Sequence, residues 1–162
     1  MTPFASVLAA LARADVEFLV VGGLAVAQAG YARYTEDADV LVAGGAANVR
    51  RMIDALATIG GGAAAELSPD DFPLEEGAVR VIEDDVVVDL LTLAAPSPTG
   101  VTSDHTYADL LPLSEPHDVG GAAVRFLGAD GVVRLKADSL RPEDRADVAA
   151  LRAALAGRDP NA

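Results

Sequence analysis

Two aspartates spaced two positions apart, Asp37 and Asp39, open an apolar stretch of strand type that runs to Val42. Side chains alternate between the two faces of a strand, so both carboxylates leave the same face of a sheet. Two like charges so close together repel each other, and burying them is costly unless a cation or a basic group lies between them. Mg²⁺ suits such a site because it prefers oxygen ligands and binds one or two carboxylates together with substrate phosphates. The pair therefore predicts a site for a divalent cation.

A third carboxylate, Asp89, interrupts a run of Val and Leu between Val86 and Thr92. The run is apolar on both faces, which indicates a strand in the interior of a sheet. A lone buried carboxylate is expensive, so Asp89 needs a partner. If its strand lies beside that of Asp37 and Asp39, the three carboxylates form one cluster that can hold one or two Mg²⁺ ions. In an alternative interpretation, Asp89 is a core carboxylate paired with an arginine such as Arg80.

A carboxylate cluster of this kind suits metal-assisted phosphoryl or nucleotidyl transfer, in which the metal neutralises the phosphates and orients an in-line attack. Asp89 would then take the proton from the attacking hydroxyl. Gly22 and Gly23 lie between an apolar strand and a short helical segment, where backbone N–H groups can approach phosphates. Two alternatives stay open: a tight strand-to-helix turn for the glycines, and a solvated strand end for Asp37 and Asp39.

The elements that would position these residues alternate between helical and strand patterns. Apolar residues at helical spacing predict helices over residues 3–14, 24–29, 46–59, 130–140 and 142–156, with a short helix ending at residue 110. Apolar runs predict strands over residues 17–21 and 37–42, and hairpins over residues 78–92 and 117–127. Residues 66–77 and 95–103 are expected to be loops. We therefore expect an α/β (α+β) fold with a mixed central sheet flanked by helices and a C-terminal helix pair. A single domain over residues 1–157 and a frayed tail over 158–162 complete this expectation.

The amino-acid composition narrows the classes of binding partner that we expect for this chain. The chain has 162 residues, of which 51% are hydrophobic and only 4% aromatic, so one core of Val, Leu and Ala is expected. A net charge of −13 argues against a long duplex nucleic-acid partner, because phosphate binding depends on Lys and Arg. The chain has no cysteine, no basic leader and no apolar run of membrane-spanning length. We expect a cytoplasmic protein without a membrane partner.

The spacing of the glycines and acids resembles that of the polymerase-beta-type nucleotidyltransferase superfamily. Its elements are a Gly-Gly pair, thirteen intervening residues, an Asp-x-Asp pair and a later apolar strand carrying Asp89. The fuller pattern is similar to minimal bacterial nucleotidyltransferases of the abortive-infection AbiEii type, and it consists of Gly22-Gly23-Leu24-Ala25, Gly30 and Arg33-x-Thr35-x-Asp37-x-Asp39. The segment over residues 135–147, with Leu-Lys followed by Arg-Pro-Glu-Asp-Arg-Ala-Asp, resembles the C-terminal helices of that group. The resemblance covers motifs from about residue 18 to residue 151.

This resemblance implies a nucleotidyltransferase fold and the transfer of a nucleoside monophosphate from an NTP to an acceptor hydroxyl. The implied cofactor is Mg²⁺, as one or two ions, with Mn²⁺ able to substitute. The implied catalytic and metal-binding residues are Asp37, Asp39 and Asp89. The implied substrate-binding residues are Gly22, Gly23, Arg33, Thr35 and Lys136. Alternatives from the residues themselves are an ion pair of Lys136 with Asp147 and a pairing of Arg33 with Asp37 or Glu36.

The implied acceptor is an RNA end such as that of tRNA, a protein side chain, or a small molecule such as an aminoglycoside. The resemblance also permits a cognate toxin or antitoxin as partner, in a toxin–antitoxin or phage-defence setting. Two residues depart from the family pattern. Gly23 stands where many active members have Ser, and Glu143 stands where a basic residue is common. These departures favour an alternative, a catalytically inactive module of the same fold that binds nucleotide or protein, whereas the three intact carboxylates favour an enzyme.

Overall fold

The computed structural model describes residues 3–75, 77–94 and 105–158. The predicted loop over 95–103 and residues 159–162 of the predicted tail lie outside the described residues. The helices are α1 (Pro3–Arg13), α2 (Gly22–Gln28), α3 (Ala46–Ala57), α4 (Tyr107–Leu110), α5 (Ala129–Lys136) and α6 (Pro142–Arg158). The strands are β1 (Phe18–Val21), β2 (Asp37–Val42), β3 (Ala78–Glu83), β4 (Val86–Leu91), β5 (Ser114–Val119) and β6 (Ala122–Leu127). Short 3₁₀ turns cover Ala63–Glu66, Pro69–Asp71 and Leu111–Leu113.

In the described part of the chain the strands form one six-stranded sheet with the order β3-β4-β2-β1-β6-β5. The pairs β2–β4 and β1–β6 are parallel, and the pair β1–β2 is antiparallel. Two antiparallel hairpins, β3–β4 and β5–β6, form the two edges. The prediction of a mixed α/β architecture, with a mixed sheet flanked by helices, is therefore confirmed. None of the helices in the described ranges is long and apolar enough to cross a membrane.

The sheet separates two apolar layers, and the alternation along β2 shows which layer each side chain enters. Ala38, Val40 and Val42 pack with buried residues of α1 and α3, including Met52. Leu41 packs on the opposite face with residues of α2, α5 and α6. Each large apolar side chain buried in these layers stabilises the fold by roughly 1.5–3 kcal/mol. Since Asp37 and Asp39 alternate with Leu41 at a spacing of two, they lie on the face of α2, α5 and α6.

The β3–β4 hairpin fixes the register around Asp89. Asp84 and Asp85 form its two-residue turn with φ angles of 49° and 65°. Turns of this left-handed type match the twist of the flanking strands, and Asp tolerates the conformation better than most residues. The predicted hairpin is confirmed, with β4 ending at Leu91, and its register places Arg80 opposite Asp89.

Several boundaries differ from the predicted ones. The helix predicted over 24–29 begins at Gly22 itself, so the glycines belong to α2 and not to a turn that precedes it. The helix predicted to run to residue 140 ends at Lys136. Ser139 Oγ donates to Asp144 Oδ2 at 2.7 Å and accepts from the Arg141 N–H at 3.2 Å, which turns the chain toward α6.

Three further boundaries also differ from the predicted ones. β5 starts at Ser114, which pairs with Leu127, so the second hairpin is longer than residues 117–127. The loop predicted over 66–77 includes a 3₁₀ turn at Pro69–Asp71 that begins with a capping box at Ser68. α6 continues through Arg158, past the predicted end at residue 156, so residue 158 belongs to the helix.

Candidate functional site

The carboxylates of Asp37, Asp39 and Asp89 come together on adjacent strands. β4 lies beside β2 in parallel, with Asp39 in register with Asp89 and Asp37 in register with Val87. Residues paired on neighbouring strands point to the same side of a sheet, so the three acids share the face of α2 and α5. All three line a cleft of about 810 Å³. The adjacency of the two acid-bearing strands, which the sequence left conditional, is confirmed.

Asp39 is the one of the three carboxylates that no partner neutralises within the described residues. Within the described residues its carboxylate, which is partly buried, has no hydrogen bond or ion pair. Burial, with added repulsion from Asp37 and then Asp89, raises the pKa of Asp39 to about 6, against smaller opposing effects of Lys136 and Arg80. A cation bound beside this carboxylate would relieve the same cost, because it favours the ionised form.

The two glycines of α2 allow the backbone to approach this acid. Gly22 has a φ of 64°, and a Cβ atom there would overlap the Asp39 carboxylate. A Cβ atom at Gly23 would lie 2.8 Å from Thr35 Oγ1 and 3.2 Å from Arg33 Nη2. Side chains at either position are therefore excluded by the site itself. The packing also gives a reason for the departure at Gly23, because the Thr35 side chain fills the space that a serine would enter.

Arg80, on the edge strand β3, neutralises Asp89. Its Nε donates to Asp89 Oδ1 and its Nη2 to Asp89 Oδ2, each at 2.8 Å, which is a bidentate pair. Arg80 Nη2 also lies 3.4 Å from Asp37 Oδ2. Hydrogen bonding to Asp89 and the charge of Asp89 raise the pKa of Arg80 further above its ordinary value. The alternative interpretation, in which Asp89 is paired with Arg80, is the arrangement that the structure shows.

The fit of a divalent cation follows from these contacts. Within residues 3–75, 77–94 and 105–158, no group of three His, Cys, Asp or Glu side chains is placed to hold a metal ion. Arg80 contacts both Asp89 and Asp37 and so occupies carboxylate oxygens that a cation would use. The donor set nevertheless suits Mg²⁺, which prefers carboxylate oxygens. Asp37, Asp39 and Asp89 are the side chains that would hold such an ion, and Asp89 would do so only after its pair with Arg80 opens.

Lys136, the last residue of α5, lies on the opposite wall of the cleft. Its Nζ donates to Asp144 Oδ1 and to Asp147 Oδ2, both at 2.7 Å. Asp147 is 1% exposed and Asp144 is 5% exposed, so both acids are buried in α6. Hydrogen bonds from Lys136 and Ser139 outweigh burial and lower the pKa of Asp144. The structure thus shows the predicted pairing of Lys136 with Asp147, although the expected surface location of this salt bridge is wrong because Asp147 is buried in α6. The phosphate contact of Lys136 stays a prediction.

Arg33 is held by the same acid. Arg33 Nε lies 3.1 Å from Asp147 Oδ1, an ion pair in which the buried Nε is not aligned for a hydrogen bond. Among the described residues, its ion pair is thus with Asp147, and the pairing with Asp37 or Glu36 is wrong. The reason is that the segment between α2 and β2 folds back onto α6, which brings Arg33 to the far wall of the cleft.

Other cleft residues received no site role from the sequence. Asp144 lines the cleft and lies three positions before Asp147, so both acids share one face of α6. Since the sequence already suggested Asp147 as a partner of Lys136, this spacing could have identified Asp144 as the second partner. Tyr34 lines the cleft with 81% of its surface exposed. A single aromatic between two motif positions follows no periodic pattern, so the sequence did not point to it.

Comparison of the chain with protein-family models and with curated proteins finds no match to either. The functional conclusion therefore depends on the geometry of the cleft together with the motif resemblance.

Proposed function

We propose that the chain is a minimal nucleotidyltransferase with the fold of the polymerase-beta-type superfamily. It would transfer a nucleoside monophosphate from an NTP to an acceptor hydroxyl. The observation that carries this proposal is the register of β2 and β4, which gathers Asp37, Asp39 and Asp89 beside the cleft. Metal-assisted phosphoryl transfer needs clustered carboxylates next to room for a triphosphate. The cleft volume of about 810 Å³ lies within the range of small-molecule sites, roughly 300–1,000 Å³.

The three acids have distinct roles in this proposal. Asp37 and Asp39 would hold Mg²⁺, and Asp89 would hold it too and act as general base. When bound, Mg²⁺ supplies neutralisation of phosphate charge and orientation of the in-line attack. The acceptor oxygen bonds to the α-phosphorus, the bond from that phosphorus to the bridging oxygen breaks, and pyrophosphate leaves. Asp89 takes the acceptor proton, which requires that its pair with Arg80 has opened.

The substrate side of the cleft would be formed by the glycines, Thr35 and the two cations. Gly22 and Gly23 let Asp39 and Thr35 lie against the backbone of α2, whose N–H groups would contact the triphosphate. The Thr35 hydroxyl, now 3.1 Å from the Asp37 backbone oxygen, lies against Gly23 and can take the role of the serine found in many active members. Arg33 and Lys136 lie on the opposite wall and would offset phosphate charge, although Asp147 now neutralises both in part.

The acceptor is proposed only as a class: an RNA end, a protein side chain or a small molecule. The net charge of −13 makes a large RNA the least favourable of these, because little counterion release is available. By the AbiEii resemblance, we propose a cognate toxin or antitoxin as the protein partner to test first.

A second candidate function is a module of the same fold that binds nucleotide or protein without turnover. The bidentate pair of Arg80 with Asp89 favours it, since both oxygens of the proposed general base are engaged by a guanidinium. The charge pairs of Lys136 and Arg33 with Asp147 favour it as well, because they leave less free positive charge for phosphates.

Calorimetry with each of the four NTPs and Mg²⁺ tests the proposal. We expect binding that requires Mg²⁺, that is lost in Asp37→Ala and Asp89→Ala, and that persists in Asp54→Ala. Asp54 is a matched control because it is an exposed acid on α3, which packs against the other face of the sheet. An acceptor screen with NTP labelled at the α-phosphate follows. Binding without transfer to any acceptor would favour the non-catalytic module, and no binding with Mg²⁺ or Mn²⁺ would contradict both functions that use a nucleotide.

A further inference from the structure

Tyr34 is an aromatic side chain exposed at the cleft. Its surface is 81% exposed although it lines the cavity next to the carboxylates. The chain has only three Tyr, four Phe and no Trp. Tyr31, three positions earlier, packs against the apolar layer of α2 and α5, whereas Tyr34 belongs to neither apolar layer. Packing of the core therefore does not account for a large aromatic ring at this position.

The residues on both sides of Tyr34 are fixed. Arg33 pairs with the buried Asp147 of α6 at 3.1 Å. Thr35 donates to the Asp37 backbone oxygen at 3.1 Å and packs onto Gly23. The residues before and after Tyr34 are thus anchored, while Tyr34 itself lines the cleft with most of its surface exposed. A tyrosine side chain has few rotatable bonds, so it loses little conformational freedom when it binds a planar partner.

We propose that Tyr34 is the platform on which the base of the NTP stacks. This assignment rests on the proposed function and adds the residue that contacts the base. Tyr34 lies three positions before Asp37 along the chain, so their Cα atoms are at most about 11 Å apart. That distance is within reach of a nucleotide whose phosphates lie at the carboxylates. Because every base has a π face, stacking is tolerant of base identity. Discrimination among the four NTPs at this contact is therefore expected to be weak.

Two ligands separate stacking from phosphate binding: an NTP, and inorganic tripolyphosphate, which lacks a base. With Mg²⁺ present, we expect Tyr34→Ala to weaken NTP binding on the order of tenfold and to leave tripolyphosphate binding unchanged. Tyr34→Phe, which keeps the ring, should bind both ligands like the unsubstituted chain. Thermal unfolding should be unchanged in both variants, because Tyr34 is exposed.

The other possible results of these binding measurements separate a failure of the stacking role from a failure of the proposed function. Unchanged NTP binding by Tyr34→Ala overturns the stacking role and leaves the proposed function standing. Equal weakening of NTP and tripolyphosphate also overturns it, since the residue would then act on the phosphates. Failure of the unsubstituted chain to bind either ligand overturns the proposed function, and the stacking role with it.

A fluorescent reporter gives an independent readout. Since the chain has no Trp, Tyr34→Trp introduces a single one at the cleft. We expect its emission to change when an NTP binds and to stay constant with tripolyphosphate. Leu74→Trp is the matched control, because Leu74 is 65% exposed and does not line the cleft. No NTP-dependent change at residue 34, or the same change at both positions, overturns the stacking role.

Discussion

Arg80 and Asp89 face each other across the β3–β4 hairpin and form two parallel hydrogen bonds, each 2.8 Å long. The Asp89 side chain is 12% exposed and that of Arg80 is 57% exposed. The arginine therefore supplies, from the solvent side of an edge strand, the positive charge that a largely buried carboxylate requires. A guanidinium and a divalent cation cannot both occupy the space between Asp89 and Asp37, so the two must compete.

Removal of Arg80 is expected to strengthen cation binding. Arg80→Met keeps the apolar part of the side chain and removes the positive charge that competes for the oxygens of Asp89 and Asp37, so Mn²⁺ affinity should rise by about tenfold. Calorimetry with Mn²⁺ alone measures this. Arg50→Met, at an exposed position of α3, is the control and should leave Mn²⁺ affinity unchanged. Equal or weaker Mn²⁺ binding by Arg80→Met would show that the arginine does not compete with a cation.

Stability in the presence of EDTA should depend on the ionisation of Asp39. The unfolded carboxyl ionises near 3.8, while the folded one keeps its proton up to about 6. Below pH 3.8 the Asp39 carboxyl is protonated in both the folded and the unfolded state, so it does not change the free energy of unfolding. As the pH rises from 3.8 to about 6 the unfolded state releases the proton more readily, so stability falls, and above about 6 the full loss is present. Asp39→Asn removes this cost. Urea unfolding should show Asp39→Asn gaining roughly 2 kcal/mol over the unsubstituted chain at neutral pH, and little at acid pH. A gain independent of pH would contradict the assignment, and the exposed Asp54→Asn should show no such trend.

Alanine at Gly22 is expected to disrupt the site. The left-handed backbone at φ 64° costs a non-glycine residue about 1–2 kcal/mol, and the new Cβ atom would displace the Asp39 carboxylate. Denaturant unfolding should show a loss of at least about 1 kcal/mol, with loss of Mg²⁺-dependent NTP binding. Gly44→Ala is the matched control: nothing lies within 4 Å of its Cβ position, so stability should be unchanged or slightly higher. Comparable losses in both variants would remove the special role of Gly22.

Asp147→Asn should be among the most destabilising single changes in α6. Asp147 is 1% exposed and is an ion-pair partner of both Lys136 and Arg33, so its neutralisation leaves cations in the protein interior without full compensation. Breaking a buried pair from one side costs about 3–5 kcal/mol. Urea unfolding at neutral pH measures this loss, and adding Lys136→Met should recover part of it. Glu143→Gln, at an exposed residue of the same helix, should change stability by less than about 0.5 kcal/mol. A small loss in Asp147→Asn would mean that solvent compensates the cations.

The local parts of the site follow from the sequence. The i, i+2 spacing of Asp37 and Asp39 on a strand places both on one face without any tertiary information. The pairing of Arg80 with Asp89 could also be predicted from the sequence. A two-residue turn at Asp84-Asp85 pairs Glu83 with Val86, and three positions further along each strand are Arg80 and Asp89. Hairpin register is set by the turn, so this contact depends on local chemistry alone.

The non-local parts could not be predicted in the same way. The parallel pairing of β2 with β4 depends on a crossover connection, and a periodic pattern contains no information about which strands become neighbours. The ion pair of Arg33 with Asp147 joins residues from opposite ends of the chain, and in the sequence nearer acids such as Asp37 and Glu36 were equally good partners for Arg33. The packing of α6 against the cleft decided between them.

The position of Asp147 late in the chain has a consequence for synthesis. Domains emerge from the ribosome with their N-terminal residues first, at about 5–20 residues per second. The three carboxylates, Arg33 and Lys136 therefore all appear before the acid that holds Arg33 and Lys136 in the wall of the cleft. A nascent chain that ends before α6 has the acidic side of the site without an ordered cationic side. The cleft can be completed only after α6 has emerged, so a chain terminated before α6 would lack a formed site.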